Sequence, residues 1–325
     1  MAKKHFLIPA WIVARLPALR RVGWILEALI VKSLVRLMQL MSPERATRFA
    51  EVIFRNLKPL LPFAGKIQRN LAVAFPEKDE REIERLTRGV CGNLGIAAAE
   101  LVIAKRVLAE HAERFEFVIP NDLDLASYRD HPLVLITGHI GAWQYGGFLS
   151  AAFGQRMTTV YAPDVNPYLH GFLLKLRKAL PCNFISRDGC MRGLAKELKQ
   201  GNVVGLTSDT RLDSGDPLRF FGIPMPANTT AARLALRHNC GFFPVRAERL
   251  PGTKFRITLC PEIRPSDPDA PVADQARQMT QQVLDLFESW IREDPEQWMC
   301  FGRRWPRAVY ANSSGMSSDT GRPRG

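Results

Sequence analysis

The sequence predicts an α/β protein: a mixed, mostly parallel sheet flanked by helices, preceded by an α-helical, membrane-associating N-terminal region. Three observations lead there. From Glu116 onward, short β-branched apolar runs alternate with helical patterns, which is how a sheet covered on both faces is written. Before that point, over the first 110 residues, the patterns are mostly helical. Basic charge is also concentrated at the start: residues 1–70 hold thirteen Lys and Arg against three Glu, a net +10 of the chain's +13. The chain then divides into a basic amphipathic helical region at 1–110, an α/β core at 111–311, and a Ser-, Gly- and Arg-rich tail at 312–325 with a disordered composition.

Residues 9–41 open the first region. Val22 to Met41 is strongly apolar yet carries Glu27, Lys32 and Arg36, which share about half of a helical wheel with Arg21 and Gln39. Leu26, Leu29, Ile30, Leu34, Leu37, Leu40 and Met41 fill the other half. Three mid-span charges are costly in a bilayer core, whereas an interfacial helix keeps them wet. The flanking Lys and Arg suit an anionic surface. Packing of the same apolar face on the protein, or a short N-terminal span, also fits the composition.

Ser42-Pro43-Glu44 starts a helix that runs to about Asn56, with Ser42 as N-cap and Pro43 in the first helical position. Asn70 to Phe75 is helical until Pro76-Glu77-Lys78 breaks it. Asp79 to about Ala104 is a longer helix, with Ile83, Leu86, Val90, Leu94, Ala97 and Leu101 at helical spacing. Strands are expected at Leu133–Thr137, Thr158–Ala162, Asn183–Ser186, Val203–Ser208, Phe242–Arg249 and Phe255–Cys260. Helices are expected at Ala142–Phe153, Pro167–Leu180, Gly189–Lys199, Thr229–His238 and Ala273–Glu293. A Pro-Gly-Thr turn before Phe255 predicts an antiparallel hairpin at one edge.

Candidate chemistry begins at His139, at the exit of the Leu133–Thr137 strand and before a helical pattern from Ala142. Carboxyl ends of strands are where open α/β sheets place their sites. A lone His is equally well explained by a structural role. Three more stretches fall on the same edge. Tyr161 to Pro167 contains Asp164 and leads into a helix ending Lys175-Leu176-Arg177-Lys178. Ser208-Asp209-Thr210 follows another strand. Phe220-Phe221-Gly222-Ile223-Pro224-Met225-Pro226 is apolar. Singly, Asp209 could cap a turn, Arg177 could be a solvated charge, and the Phe pair could be core. Together they assemble a base, a cation, a carboxylate and an apolar wall.

Several classes are disfavoured. The six cysteines show no CxxC pair and no zinc-ligand spacing, so free thiols and no metal are expected. No Gly-x-Ser-x-Gly elbow occurs. The basic residues sit on apolar-faced helices without a nucleic-acid motif, so no nucleic acid is expected as partner. No cleavable signal peptide is evident.

The chain resembles the lysophospholipid acyltransferase superfamily, and within it the late acyltransferases of lipid A biosynthesis, over roughly residues 15–310. The resemblance is carried by Asn70-Leu71-Ala72-Val73-Ala74-Phe75-Pro76-Glu77, by Thr137-Gly138-His139-Ile140-Gly141-Ala142-Trp143-Gln144, and by Arg177. It continues through Leu198-Lys199-Gln200-Gly201, Asp209, Phe220-Phe221-Gly222, and Gln297-Trp298 with Arg303-Arg304-Trp305. It implies transfer of a fatty acyl chain from an acyl thioester to a lipid hydroxyl, with His139 as general base. It further implies Arg177 on a phosphate or oxyanion, Asp209 ordering that Arg or the headgroup, and Asp164, Phe220, Phe221 and Met225 on the substrate side. No cofactor is implied beyond an acyl-carrier-protein or coenzyme A thioester as co-substrate. The implied partners are an anionic membrane surface, a lipid acceptor and acyl carrier protein, at the cytoplasmic face of a bacterial inner membrane. Oligomeric state is left open.

One position departs from the pattern. The family carries Asp or Glu five residues after the histidine, and this chain has Gln144. A glutamine carbonyl can hold an imidazole tautomer but supplies no charge. Three readings follow: Gln144 as a neutral orienter, replacement of the carboxylate by Asp164 or Asp209, or loss of the reaction with lipid binding kept.

Overall fold

A computed structural model describes residues 17–120, 123, 128, 131–152 and 154–314 of the chain. Four helices come first: α1 (Pro17–Leu40), α2 (Pro43–Asn56), α3 (Ala64–Ala74) and α4 (Glu80–Ala109). Then follow β1 (Phe115–Val118), β2 (Leu133–Thr137), β3 (Met157–Tyr161), α5 (Pro167–Arg177), β4 (Cys182–Ser186), α6 (Cys190–Lys199) and β5 (Val203–Thr207). The remainder is β6 (Arg211–Phe220), β7 (Ile223–Ala227), α7 (Thr230–His238), β8 (Gly241–Leu250), β9 (Lys254–Leu259), α8 (Val272–Glu293) and α9 (Arg307–Ser314).

Seven strands form one sheet in the order β1-β9-β8-β2-β5-β3-β4. All neighbours pair in parallel except β8 with β9. The central strand β2 is buried on both faces, Leu133, Val134 and Ile136 completely, so it reads as a continuous apolar run. Helices α3, α6, α7 and α8 cover the face that carries Val134, Ile136 and Val204. Helices α1, α2 and α4 cover the face that carries Leu133, Leu135 and Val203.

The helix starts follow their capping chemistry. The Ser42 side chain accepts from the Arg45 amide, and Pro43 holds the first position of α2. Asp79 and Glu82 make a reciprocal capping box at α4. Asn166 accepts from the Tyr168 amide ahead of Pro167 at the start of α5.

Helix α4 is long and apolar enough to cross a membrane, yet 67% of that window is buried inside the fold. It carries Glu100, whose carboxylate binds Arg249 of β8 at 2.5 and 2.8 Å. Helix α1 is arranged differently. Trp24, Ala28, Val35 and Met38 face the protein and are buried. Its other face is a stripe of exposed apolar residues: Leu26, Leu29, Ile30, Leu34, Leu37 and Leu40. Packing on the protein therefore leaves most of the predicted apolar face uncovered.

Several boundaries depart from the sequence reading. The helix expected at Ala142–Phe153 is a 3₁₀ run at Trp143–Phe148 followed by one turn at Leu149–Ala152. Gly146 and Gly147 lie inside it, and glycine weakens a regular helix. The Pro-Gly-Thr hairpin forms between β8 and β9, but β1 covers β9 and becomes the edge. The apolar stretch 220–226, expected as a loop, belongs to the hairpin β6–β7, which spans 211–227. Its turn is Phe221-Gly222, with φ of 53° and 71°, the positive values that two-residue hairpin turns use. Helix α9 runs into the predicted tail as far as Ser314, while 315–325 lie outside the described residues, as do residues 9–16.

Candidate active site

Strand pairing builds the centre of the site. The parallel register of β2 and β5 sets Thr137 beside Thr207. Two residues past each strand end, His139 and Asp209 come alongside. The His139 Nδ1 lies 2.7 Å from Asp209 Oδ1, and the His139 backbone N–H donates to the same oxygen at 3.1 Å. On the other side, the His139 carbonyl accepts from the Met299 amide at 2.9 Å. The backbone then turns through Gly141 at φ +57°, where a Cβ would stand 2.1 Å from the Ala247 carbonyl oxygen. Only glycine fits there.

Asp209 is fully buried and is gripped from both sides. Its second oxygen accepts from Arg304 Nη2 at 2.7 Å, and Arg304 is 2% exposed. Burial alone would raise the Asp209 pKa, but His139 and Arg304 together hold it far below the usual carboxylate range. Asp209 is therefore ionised at neutral pH. An ionised acceptor fixes the Nδ1–H tautomer and leaves Nε2 for proton chemistry.

His139 lines a cavity of about 650 Å³. Its walls include Leu135, Met157, Leu180 and Phe184, and it is mostly apolar. Gly147 and Gly205 on its wall let neighbouring side chains pack close: a Cβ on Gly147 would fall 2.3 Å from Cys182 Sγ, and one on Gly205 2.2 Å from Met157 Sδ. Trp143 and Phe301 flank the imidazole, with ring centroids at 5.4 and 6.4 Å. Arg177 also lines the cavity. It pairs with Asp164 at 3.1 Å and lies over the Tyr161 ring. Burial pushes the Cys182 thiol up to about 12, which makes it a poor nucleophile at neutral pH.

The structure thus brings His139 and Asp209 together and places Arg177 on the same cavity, paired with Asp164, which does not itself line it. Three expectations are corrected. Gln144 does not hold the imidazole: its Nε2 donates to the Ala97 carbonyl of α4 at 2.9 Å, while Asp209 occupies Nδ1. Asp209 orders Arg304 and not Arg177, whose carboxylate is Asp164. Phe220, Phe221 and Met225 do not line the cavity. They are buried in the core, and the Phe pair stacks among Trp298, Trp305 and Phe75. The sequence reading missed Arg304, although it lies in the quoted Arg303-Arg304-Trp305 block.

An imidazole backed by a buried carboxylate, on the wall of an apolar cavity, has the parts of a general acid–base site. The particular family is given by residues 19–307, which match the model of the bacterial lipid A biosynthesis acyltransferases; the chain belongs to that family and is an acyltransferase of lipid substrates. Among solved structures, the crystal structure of a 1-acyl-sn-glycerophosphate acyltransferase from Thermotoga maritima aligns at 11% identity, over 74% of this chain and 97% of that one, with a TM-score of 0.35. No curated protein matches the chain significantly.

Proposed function

We propose that the protein moves a fatty acyl chain from an acyl-carrier-protein or coenzyme A thioester to a hydroxyl of a lipid A precursor or related lysolipid. The carrying observation is the chain Arg304–Asp209–His139, with His139 on the cavity wall, in a member of this family. His139 Nε2 takes the hydroxyl proton as that oxygen attacks the thioester carbonyl. Asp209 stabilises the imidazolium that forms, and the same proton then leaves with the thiolate. Arg304 keeps Asp209 ionised and in place. Arg177, held by Asp164, faces the cavity as a cation for a phosphate or the oxyanion. The acyl chain fills the apolar cavity, each buried methylene contributing about 0.8 kcal/mol. Asp209 also supports an active enzyme over a lipid-binding homologue that has lost the reaction, because it supplies the charge that Gln144 cannot. The exposed stripe of α1, with its flanking Arg and Lys, rests on the cytoplasmic face of a bacterial inner membrane.

The test is transfer by purified protein from acyl-carrier-protein and coenzyme A thioesters to a panel of lipid A precursors and lysolipids. His139→Ala is expected to lower turnover by about 10²–10⁴-fold, the usual worth of a general base. Undiminished turnover in that variant would remove His139 from the mechanism.

A further inference from the structure

A second cavity, of about 600 Å³, lies apart from the first, between α3, the loop after Cys300 and α9. Lys66, Arg69, Arg303 and Arg307 line it, with Asn70 and Tyr310. Lys66 and Arg69 are three residues apart on α3 and so share a face. Asn70 is fully buried; its Nδ2 donates to the Cys300 and Gly302 carbonyls at 2.6 and 2.7 Å, and the Tyr310 hydroxyl donates to its Oδ1 at 2.5 Å. These bonds fasten α3 to the C-terminal segment, so the cations stand on a fixed frame.

Among the described residues, those that line this cavity include four cations and no carboxylate. Arg303 lies 4.0 Å from Asp213, a carboxylate that Arg211 already binds. Arg211 feels the crowding: burial lowers its pKa, and Arg303 and Arg307 push it the same way. Like charges gathered around a cavity are relieved by a multivalent anion. A phosphate monoester brings nearly two negative charges and three acceptor oxygens, where a diester or carboxylate brings one charge.

The position relative to the catalytic cavity is also informative. Phe301 lines the catalytic cavity beside His139. Three residues on, Arg304 turns inward to Asp209, while Arg303 turns into the basic cavity. A headgroup spanning Phe301 could present a hydroxyl to His139 and a phosphate to Arg303.

We propose that this cavity binds the phosphate monoester of a lipid headgroup, as a site separate from Arg177. The identity of that lipid as acyl acceptor rests on the function proposed above, but the binding does not.

The experiment measures binding without turnover. Inorganic phosphate is titrated into the full-length protein and into Arg303→Gln/Arg307→Gln. In parallel, both proteins are floated with phosphatidylcholine vesicles doped with phosphatidic acid, a monoester, or with phosphatidylglycerol, a diester, at matched surface charge. Wild type is expected to bind phosphate and to prefer phosphatidic acid. The double variant is expected to bind phosphate about tenfold more weakly or worse and to lose the preference. Arg303→Lys/Arg307→Lys should recover much of both, which separates lost charge from lost folding. Phosphate binding that depends on the arginines without a vesicle preference would support the site and assign it to a soluble monoester. Equal phosphate binding by wild type and the Gln variant overturns the proposal. A protein with no acyl transfer but arginine-dependent phosphate binding would refute the proposed function and leave this site standing.

Discussion

Replacing Asp209 by Asn tests the centre of the site. Asp209 presents one oxygen to two N–H groups of His139 and the other to Arg304 at 2.7 Å. An asparagine of the same shape has one oxygen and one NH₂. Turned toward Arg304, the NH₂ would set donor against donor, so the amide flips and offers its oxygen there. The NH₂ then faces the His139 backbone N–H, which loses its acceptor, and Nδ1, which must become an acceptor. The imidazole proton moves to Nε2, and the base is gone. This is the wrong-tautomer loss known from hydrolytic triads, about 10⁴-fold in kcat, or about 5.4 kcal/mol at 1.36 kcal/mol per decade. The variant also leaves the buried Arg304 charge without a counter-ion, a cost of about 3–5 kcal/mol in stability. The assay is kcat for acyl transfer per folded molecule, with folding followed by circular dichroism and a melting curve. A kcat within tenfold of wild type in folded protein would refute the assigned roles of both Asp209 and His139.

Gln144→Glu should not raise the rate, because Nδ1 is already occupied; it should cost about 1–3 kcal/mol, since a carboxylate cannot donate to the Ala97 carbonyl, and a faster, equally stable variant would contradict this. Phe221→Ala should lower stability by about 3 kcal/mol or more in a melting experiment, while transfer per folded molecule is kept; a changed acyl-chain preference would return Phe221 to the substrate side. Ile30→Glu/Leu37→Glu falls on the exposed face of α1 and should abolish vesicle flotation with an unchanged circular dichroism spectrum. On acidification, the stability that Asp209 contributes should persist through mildly acid pH and fade only as pH falls toward its depressed pKa, because the unfolded carboxylate protonates first; Asp209→Asn should flatten that part of the stability-against-pH curve.

Local patterns revealed much of this fold. The apolar run of β2, the cap at Ser42 and the Pro-Gly-Thr turn each depend on neighbours in sequence, and each is present. His139 and Asp209 were legible as residues at strand exits, but their contact depends on β2 and β5 being neighbours, which no local pattern states. Arg304 was harder still. Its partner lies 95 residues away, and an arginine between an arginine and a tryptophan reads as surface. Gln144 misled because position alone suggested a partner for the histidine. The turn at Gly141 and the 3₁₀ run send that side chain to α4 instead. Phe220 and Phe221 sit at a turn whose aromatic neighbours, Trp298 and Trp305, come from a distant segment.

The grip on His139 has a consequence for biosynthesis. The amide of Met299 and the guanidinium of Arg304, which fix the histidine backbone and its carboxylate, are translated long after β2 and β5. A nascent chain can pair those strands while its imidazole is still unanchored and Asp209 has no buried counter-ion. Such a chain could already settle on a membrane through α1. Catalytic competence would then arrive with the docking of the last segment, so an unfinished polypeptide among its own substrates stays chemically silent.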